Sequence, residues 1–280
     1  MIGSASSPAS SGNLGPAFDA LAVALSLRCS ATAEPAEEMM LTEHGSSTPL
    51  EPDDMIYRAT ELAAGRPMHI TLESQVPRTR GLGSSSAVTA AVAGAALKAA
   101  VRPGGRARAF EIVGEIEGFG DNAAAAVFGG LVAVSGTGVQ HLRLHESLLP
   151  VVGIPHEHLP TGQSRAVLPA QVSHGLASRT LGRLIFLVEG LREGNAETLS
   201  HAAGDELQEE PRAPLSPMTG QLMEAAKAAG AMHVCRSGSG PTALAFATAE
   251  TRGRVIGAMS GVLGAKGEVL ALSVDYDGLL

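Results

Sequence analysis

Aromatic residues and cysteine are scarce in this sequence. Its 280 residues include no Trp, two Tyr and six Phe, so the aromatic side chains on which single-stranded nucleic acid stacks are largely missing. The two cysteines, Cys29 and Cys235, lie far apart and form neither a disulfide framework nor a CxxC metal motif. We therefore expect a protein of the reducing cytoplasm.

Positive charge and long apolar runs are scarce as well. The chain has 20 Lys and Arg against 28 Asp and Glu, a net charge of -8, which opposes attraction to nucleic acid or to an anionic membrane. The first residues do not form a basic region followed by an apolar stretch, so we expect no signal peptide. The longest apolar run, 87–101, is mostly Ala and contains Thr89 and Lys98. It falls short of a membrane span, and we expect neither a nucleic-acid nor a membrane partner.

Glycine and small aliphatic residues are abundant. Apolar residues make up 45% of the chain and charged residues 17%, with 34 Gly, which is typical of a globular protein whose core packs Ala, Val and Leu with backbones close together. The length predicts about two domains. After Gly138 the sequence changes to alternating Leu, His and Arg, and a segment that begins and ends with proline follows at 150–160. We place the boundary near residue 148, between an N-terminal domain of 1–147 and a C-terminal domain of 148–280.

Hydrophobic periodicity and turn residues predict a mixture of strands and helices. In the first half we expect strands over 18–33, 69–74 and 129–134, helices over 55–65, 87–100, 111–117 and 123–127, and an aperiodic surface loop or hairpin tip over 34–53. In the second half we expect helices over 175–193, 195–208 and 216–229, a strand over 231–236, a glycine loop over 237–240, and then a strand, a helix and a strand. Polar residues should cap two of these helices. Asp53 and Asp54 should cap the helix at 55–65, and Asp121 and Asn122 should cap the helix at 123–127.

The strongest local signal is a glycine and serine loop that opens the Ala-rich helix. It reads Gly81-Leu82-Gly83-Ser84-Ser85-Ser86. Backbone N–H groups next to glycine can approach an anion, and the helix N-terminus adds partial positive charge, so the loop is suited to bind phosphate. The serine hydroxyls could donate to phosphate oxygens or bind Mg²⁺. A simple helix cap among glycines is the alternative. The loop fits neither the P-loop nor the dinucleotide-binding fingerprint, which disfavours those two classes.

Two further polar segments could approach a ligand. Ser237-Gly238-Ser239-Gly240-Pro241-Thr242 is flanked by predicted strands, and Asn13 and Asp19 lie in a loop that enters an apolar stretch. Each segment alone could equally be only a tight turn.

Taken in order, these segments resemble the homoserine kinases of the GHMP small-molecule kinase superfamily. The matching segments are Pro8 to Asp19, similar to PASSANLGPGFD but with Gly12 and Ala17; Pro77 to Ala87, similar to the phosphate loop; Glu117 to Asn122, similar to EGHPDN; Thr161 to Pro169; Glu210-Pro211-Arg212, with a Tyr missing; and Ser237 to Thr242. The resemblance covers residues 8 to about 245.

The resemblance implies an α+β, two-domain GHMP kinase fold, with an N-terminal βα domain that carries the phosphate loop and a ferredoxin-like C-terminal domain. It implies ATP-dependent phosphorylation of the hydroxyl of L-homoserine, a step of threonine biosynthesis, with Mg²⁺. A homodimer is common among proteins with this resemblance. A GHMP kinase for another small hydroxy compound, or a nucleotide-binding relative without transferase activity, would fit the same motifs.

Site roles also follow from the resemblance. The nucleotide would be held by residues 81–86, comprising Gly81, Leu82, Gly83, Ser84, Ser85 and Ser86, and by Asp54, with Ser85 as a Mg²⁺ ligand. The acceptor would be bound by Asn13, Asp19, Asn122, Arg165 and Arg212, of which Asp19, Asn122 and Arg165 would serve catalysis. The acidic Mg²⁺ ligand should be one of Glu111, Glu115 and Glu117, which cannot all face the site from one helix; Glu115 is the first choice and Glu117 the second.

Two departures from the family pattern bear on these roles. Phe119-Gly120 stands where the family has His-Pro, and Asp54 stands where an Asn usually approaches the adenine. The nucleotide half of the resemblance is therefore cleaner than the acceptor half.

Overall fold

The chain folds around two β-sheets in the computed structural model, which describes residues 1–118 and 120–280. Within those residues the first sheet has seven strands, β1 (Gly3–Gly12), β2 (Leu21–Pro35), β3 (Met40–Glu43), β4 (Ser46–Pro49), β5 (Met68–Ser74), β6 (Leu131–Ser135) and β7 (Gly138–Leu142). The long strand β2 is its centre, because it pairs antiparallel with β1 along one edge and with β5 and β6 along the other.

Four helices cover this sheet, α1 (Met55–Ala64), α2 (Ser84–Ala99), α3 (Gly105–Glu117) and α4 (Asp121–Phe128). Helix α2 is buried on nearly all sides, as its Ala-rich composition predicts for a central helix. It contacts β1 so closely that a Cβ on Gly3 would lie 2.3 Å from the carbonyl oxygen of Ala95. The small side chains thus allow the backbones of helix and strand to approach each other.

The second sheet is antiparallel and, over the same described residues, has four strands in the order β11-β8-β10-β9. Its elements are β8 (Leu149–Pro155), α9 (Pro217–Ala228), β9 (His233–Arg236), β10 (Ala243–Ala247), α10 (Arg252–Leu263) and β11 (Gly267–Ala271). This βαββαβ succession, with α9 and α10 packed together on the sheet, is the ferredoxin-like arrangement that the resemblance implies.

Further helices lie between β8 and α9, and one of them has 20 residues. They are α5 (Thr161–Ala166), α6 (His174–Glu193), α7 (Ala196–Ser200) and α8 (Glu209–Arg212), and short 3-10 turns cover Ala213–Leu215 and Gly264–Lys266. No helix in the described ranges is long and apolar enough to cross a membrane.

The first sheet ends with β7 and the second begins with β8, and the boundary near residue 148 stays a prediction. The last residues nevertheless return to the first sheet. Leu280 exchanges backbone hydrogen bonds with Ser6, and Arg28 on β2 forms an ion pair with Asp275 and donates to the carbonyl of Gly278 at 2.6 Å. The C-terminal segment therefore ties the second half of the chain to the first.

Most predicted elements are confirmed, and the exceptions have local causes. Helix α1 has Asp54 as its N-cap and the left-handed Gly65, φ 67°, at its end. The segment 34–53 contains the hairpin β3–β4 rather than only a loop, because β3 pairs in parallel with β5. The predicted helix at 195–208 ends at Ser200.

Strand β1 is an element that the sequence does not predict, since the first predicted strand begins at residue 18. It runs to Gly12 and pairs with β2, and the register shifts between Pro8 and Ala9. A proline at such an irregularity is compatible with a strand. The loop comes only after Gly12.

We predict that Gly3→Ala will lower the free energy of unfolding by about 1–3 kcal/mol, because its Cβ would collide with the backbone of α2. Gly114→Ala is the matched control: it lies inside α3 with no atom near the added Cβ and should raise that free energy by about 0.5–1 kcal/mol. Urea unfolding of both variants measures the difference. Equal stability of Gly3→Ala and the parent would contradict the close packing of α2 on β1.

Candidate active site

A cavity of about 370 Å³ lies where the phosphate loop, the end of β1, the start of α1, helix α5 and the glycine loop after β9 meet. It is lined by most of the predicted site residues: Asn13, Asp19, Asp54, Gly81, Gly83, Ser84, Ser85, Ser86, Glu117, Asn122, Arg165 and Arg212. The structure thus brings together, from both halves of the chain, residues that are more than one hundred positions apart. Leu82, Glu111 and Glu115 do not line the cavity.

The phosphate loop ends in an open helix terminus. Gly83, with a φ of 62°, is the N-cap of α2, and no side chain caps the first turn. The first N–H groups of a helix have no partner within the helix, so this terminus can donate to an anion in the cavity. Leu82 contributes differently, since its side chain is buried in the core and its carbonyl accepts from the Ser10 backbone at 3.1 Å.

Glycine is required in this loop because three segments meet there. A Cβ on Gly83 would lie 2.1 Å from the Ser10 hydroxyl oxygen, and one on Gly81 would lie 2.3 Å from the Ser237 carbonyl oxygen. The Ser237 hydroxyl in turn donates to the Gly81 carbonyl at 2.7 Å. The glycine loop after β9 therefore holds the phosphate loop in place.

The first polar segment joins the same cluster. Asn13 donates through Nδ2 to the carbonyl of Gly238 at 3.0 Å and accepts through Oδ1 from the backbone of Asp19 at 3.0 Å. Asp19 has a positive φ of 52°, which is uncommon for a residue with a side chain. Asn13 thus fixes the turn that presents the Asp19 carboxylate to the cavity.

Two arginines, Arg165 and Arg212, line the cavity near Asp19. Arg165 donates both terminal nitrogens to the Asp19 carboxylate, at 2.6 and 3.0 Å. The guanidinium carbons of Arg165 and Arg212 lie 5.3 and 5.4 Å from the centre of the Phe18 ring, within the range of a cation–π contact. Phe18 therefore holds the two cations close together.

Arg212 is a buried cation, with only 1% of its surface exposed. It donates to the carbonyl of Ser164 at 3.1 Å and to Gln208 Oε1 at 2.5 Å. Burial, and then the neighbouring cations, lower its pKa to about 10, so it stays charged at neutral pH. Among the described residues no carboxylate lies within ion-pair distance of Arg212. A bound anion would supply the negative charge that this cation lacks.

The glutamates of α3 differ sharply in position. Glu117 lines the cavity beside Ser85, and its Oε1 is buried without a hydrogen-bond partner. Burial raises the pKa of Glu117, while a hydrogen bond with Ser85 acts in the opposite direction. Glu115 is exposed and points away from the cavity lining, since two residues rotate a helix by about 200°. Glu111 pairs with Arg108 at 2.9 Å on the surface.

Asp121 is a buried carboxyl next to Asn122, although it does not itself line the cavity. It was read with Asn122 as a helix cap, but the N-cap of α4 is Gly120, without a side-chain bond. Asp121 is 1% exposed, its Oδ2 has no partner, and burial raises its pKa to about 6. A Cβ on Gly12 would lie 2.5 Å from that oxygen, so the departure from the family pattern at Gly12 makes room for the carboxyl.

Asn122 and Asp54 line the cavity, and each also accepts a hydrogen bond from another residue of the protein. Asn122 Oδ1 accepts from the Ser10 hydroxyl at 2.9 Å, and Asp54 Oδ1 accepts from the Ile56 backbone at 2.6 Å as the cap of α1. Phe119, the other departure, lies outside the described residues.

Comparisons with known proteins agree with this geometry. Residues 54–130 match the GHMP kinases N terminal domain, and residues 187–264 match the GHMP kinases C terminal domain. A homoserine kinase of Thermus thermophilus is 36% identical over 277 residues, covering 95% of this chain and 94% of that protein. A homoserine kinase of Moorella thermoacetica is 36% identical over 255 residues and covers 85% of each chain.

Solved structures show the same fold. The crystal structure of homoserine kinase from Cytophaga hutchinsonii superimposes with a TM-score of 0.88 at 23% identity, covering 100% of this chain and 96% of that one. Phosphomevalonate kinase of Streptococcus pneumoniae gives a TM-score of 0.74 at 14% identity, with coverage of 98% and 99%. With its paired domain matches and its relatives along nearly the whole length, the chain belongs to the GHMP kinase family.

Proposed function

We propose that this chain transfers the γ-phosphoryl group of ATP to the side-chain hydroxyl of L-homoserine, giving O-phospho-L-homoserine and ADP. The observation that carries the proposal is one cavity that joins an open helix terminus, suited to phosphate, to two arginines, suited to a carboxylate. Relatives 36% identical along the chain are homoserine kinases. A homodimer and a cytoplasmic location stay predictions.

The nucleotide end would use the N-terminus of α2. Backbone N–H groups of the loop and the hydroxyls of Ser84 and Ser86 are positioned to donate to phosphate oxygens. Asp54 lies at the cavity near the start of α1, but one of its oxygens is already engaged by the Ile56 backbone. We therefore expect it to position α1 at the nucleotide as much as to contact the base.

Ser85 and Glu117 fit a magnesium ion. Among the described residues no three His, Cys, Asp or Glu side chains cluster, but Mg²⁺ is commonly bound by one or two carboxylates together with substrate phosphates. The partnerless Oε1 of Glu117 beside the Ser85 hydroxyl is the oxygen ligand that such a site needs. Bound Mg²⁺ would offset negative charge on the phosphates during transfer.

The acceptor end would use Arg165 and Arg212 for the α-carboxylate. Arg212 would donate through its guanidinium, and Arg165 would act mainly through its charge, because both of its terminal nitrogens already donate to Asp19. Asp19, held by Arg165 and by the Asn13 turn, is placed to orient the acceptor hydroxyl. Asn122, which lines the same cavity, would help position the reacting groups. Phosphoryl transfer through a loose transition state depends mainly on such positioning, so the proposal assigns no dedicated base.

We predict that ADP release depends on homoserine. In a coupled ADP-release assay with homoserine, threonine, mevalonate and pantoate, kcat/KM for homoserine should exceed that for each of the others by about 10²-fold or more. All four have a carboxylate that the arginines could bind, but threonine carries its hydroxyl one carbon nearer to that carboxylate, and mevalonate and pantoate lack the α-ammonium group. A hydroxyl misplaced by about 1 Å costs roughly this factor in rate. A preference for mevalonate or pantoate would identify a different acceptor. ADP release with none of them would indicate a binding protein.

We predict that Glu117→Gln will reduce kcat by about 10²–10³-fold, the usual cost of removing one electrostatic contact from the transition state. Raised Mg²⁺ should recover part of the loss, because a neutral amide binds the ion more weakly than a carboxylate does. Glu115→Gln is the matched control on the same helix and should leave kcat nearly unchanged. The opposite ranking would return the metal role to Glu115.

We predict that Arg165→Lys and Arg212→Lys will raise the KM for homoserine about tenfold and the KM for ATP much less, since Lys keeps the charge but loses the forked donor. Arg183→Lys, in a surface pair with Glu206, is the control and should change neither constant. Steady-state kinetics with each substrate varied in turn measures the split. Equal rises in both constants would assign the arginines to the phosphates or to the fold.

A further inference from the structure

A second cavity, of about 650 Å³, lies at the opposite end of α2 from the phosphate loop. Its volume is in the range of roughly 300–1,000 Å³ that is usual for small-molecule sites. The apolar part of its lining comes from Leu97, Val101, Leu279 and Leu280. None of these residues lines the candidate active site, so the cavity is a separate feature of the molecule.

Three cations border this apolar lining: Lys98, Arg102 and Arg106. Among residues 1–118 and 120–280, none of them pairs with a carboxylate side chain. Each donates only to a main-chain carbonyl, Lys98 to Ser4 at 3.0 Å, Arg102 to Ala64 at 3.5 Å and Arg106 to Leu279 at 2.9 Å. In a chain of net charge -8, three such cations around one apolar cavity favour an anion.

Val101 supplies an independent observation. It follows α2 in the left-handed region, with a φ of 53°, and its N–H bonds to the Lys98 carbonyl while that of Arg102 bonds to Leu97. Glycine is the usual residue in this helix ending, and a β-branched residue there is strained. The same turn uses glycine at its other left-handed positions, Gly104 and Gly105.

The strained valine has a consequence for the cavity. Its side chain is 72% exposed and therefore gains little from packing within the chain, yet it forms part of the cavity lining. Backbone strain of this kind tends to persist at sites that contact ligands. An apolar group in the cavity would cover Val101 and Leu280, which is also half exposed at 51%.

We propose that this cavity binds a small organic anion with a hydrocarbon body, of the class of medium-chain carboxylates. The carboxylate would meet Lys98, Arg102 and Arg106, and the hydrocarbon would lie against Val101 and the leucines. This site is independent of the proposed kinase function, because it shares no lining residue with the active site.

The test uses decanoate on the full chain, with the active site filled by Mg²⁺ and ADP. Decanoate should displace the fluorescent anion 8-anilinonaphthalene-1-sulfonate from one site, and decanol, which has the same chain without the charge, should require at least tenfold higher concentration. Equal potency of decanoate and decanol, or failure of decanoate to displace the dye, would overturn the proposal.

Two pairs of variants locate the site. Arg102→Gln should weaken decanoate binding at least fivefold, whereas Arg66→Gln should not, although Arg66 is also a cation at this end of α2 that donates to a carbonyl, that of Ala99 at 3.4 Å. Arg66 does not line the cavity. Equal weakening in both variants would assign the effect to general charge and contradict the site.

Val101→Gly separates binding from stability. It should weaken decanoate binding about threefold or more while raising Tm by about 2–4 °C, because it removes the left-handed strain. His44→Gly is the control, since His44 has a similar φ of 51° in the β3–β4 turn, and it should leave decanoate binding unchanged. Unchanged binding by a folded Val101→Gly variant would remove Val101 from the site and contradict the argument from its strain.

Discussion

Close backbone packing around Gly81 and Gly83 is the constraint on which the active site depends. A side chain at either position would collide with Ser237 or Ser10, and these contacts bring together segments from both ends of the chain. The open N-terminus of α2, the Asn13 turn and the glycine loop after β9 therefore form one unit. Gly81 packs against the backbone of the glycine loop and Gly83 packs against the Ser10 side chain, so a side chain at either glycine would force one of these segments to move.

The sequence predicted the chemistry of the site better than its geometry. The phosphate loop and the glycine loop can be recognised from the sequence alone, because each is a short run of glycines and hydroxyl residues at fixed spacing. The choice between Glu115 and Glu117 required the rotation of α3 about its axis, and the helix begins at Gly105 rather than at the predicted 111. No local pattern fixes that rotation, because it is set by packing against α1, α2 and α4.

Packing between distant parts of the chain also explains where the fold differs from the sequence-based prediction. Strand β1 is rich in Ser and contains Pro8, so its local signals favour a loop, and only pairing with β2 along its whole length makes it a strand. Asp121 likewise has the local signature of a helix cap. Its burial against Gly12 is a contact between residues more than one hundred positions apart, and its raised pKa follows from that burial. Long-range contacts override local propensity in each case.

A buried polar network connects the acceptor arginine to the rest of the molecule. Glu209, at the start of the helix that ends with Arg212, accepts from the Arg236 backbone at 2.6 Å, at the end of β9 where the glycine loop begins. Burial raises the pKa of Glu209 to about 7. Arg212 also donates to Gly238 at 3.4 Å. Arg212 and the glycine loop are thus held to one framework, so the positions of the Arg212 guanidinium and of the phosphate loop are set together. If Arg212 binds the acceptor as we propose, this framework would also fix the relative positions of the two substrates, as transfer between them requires.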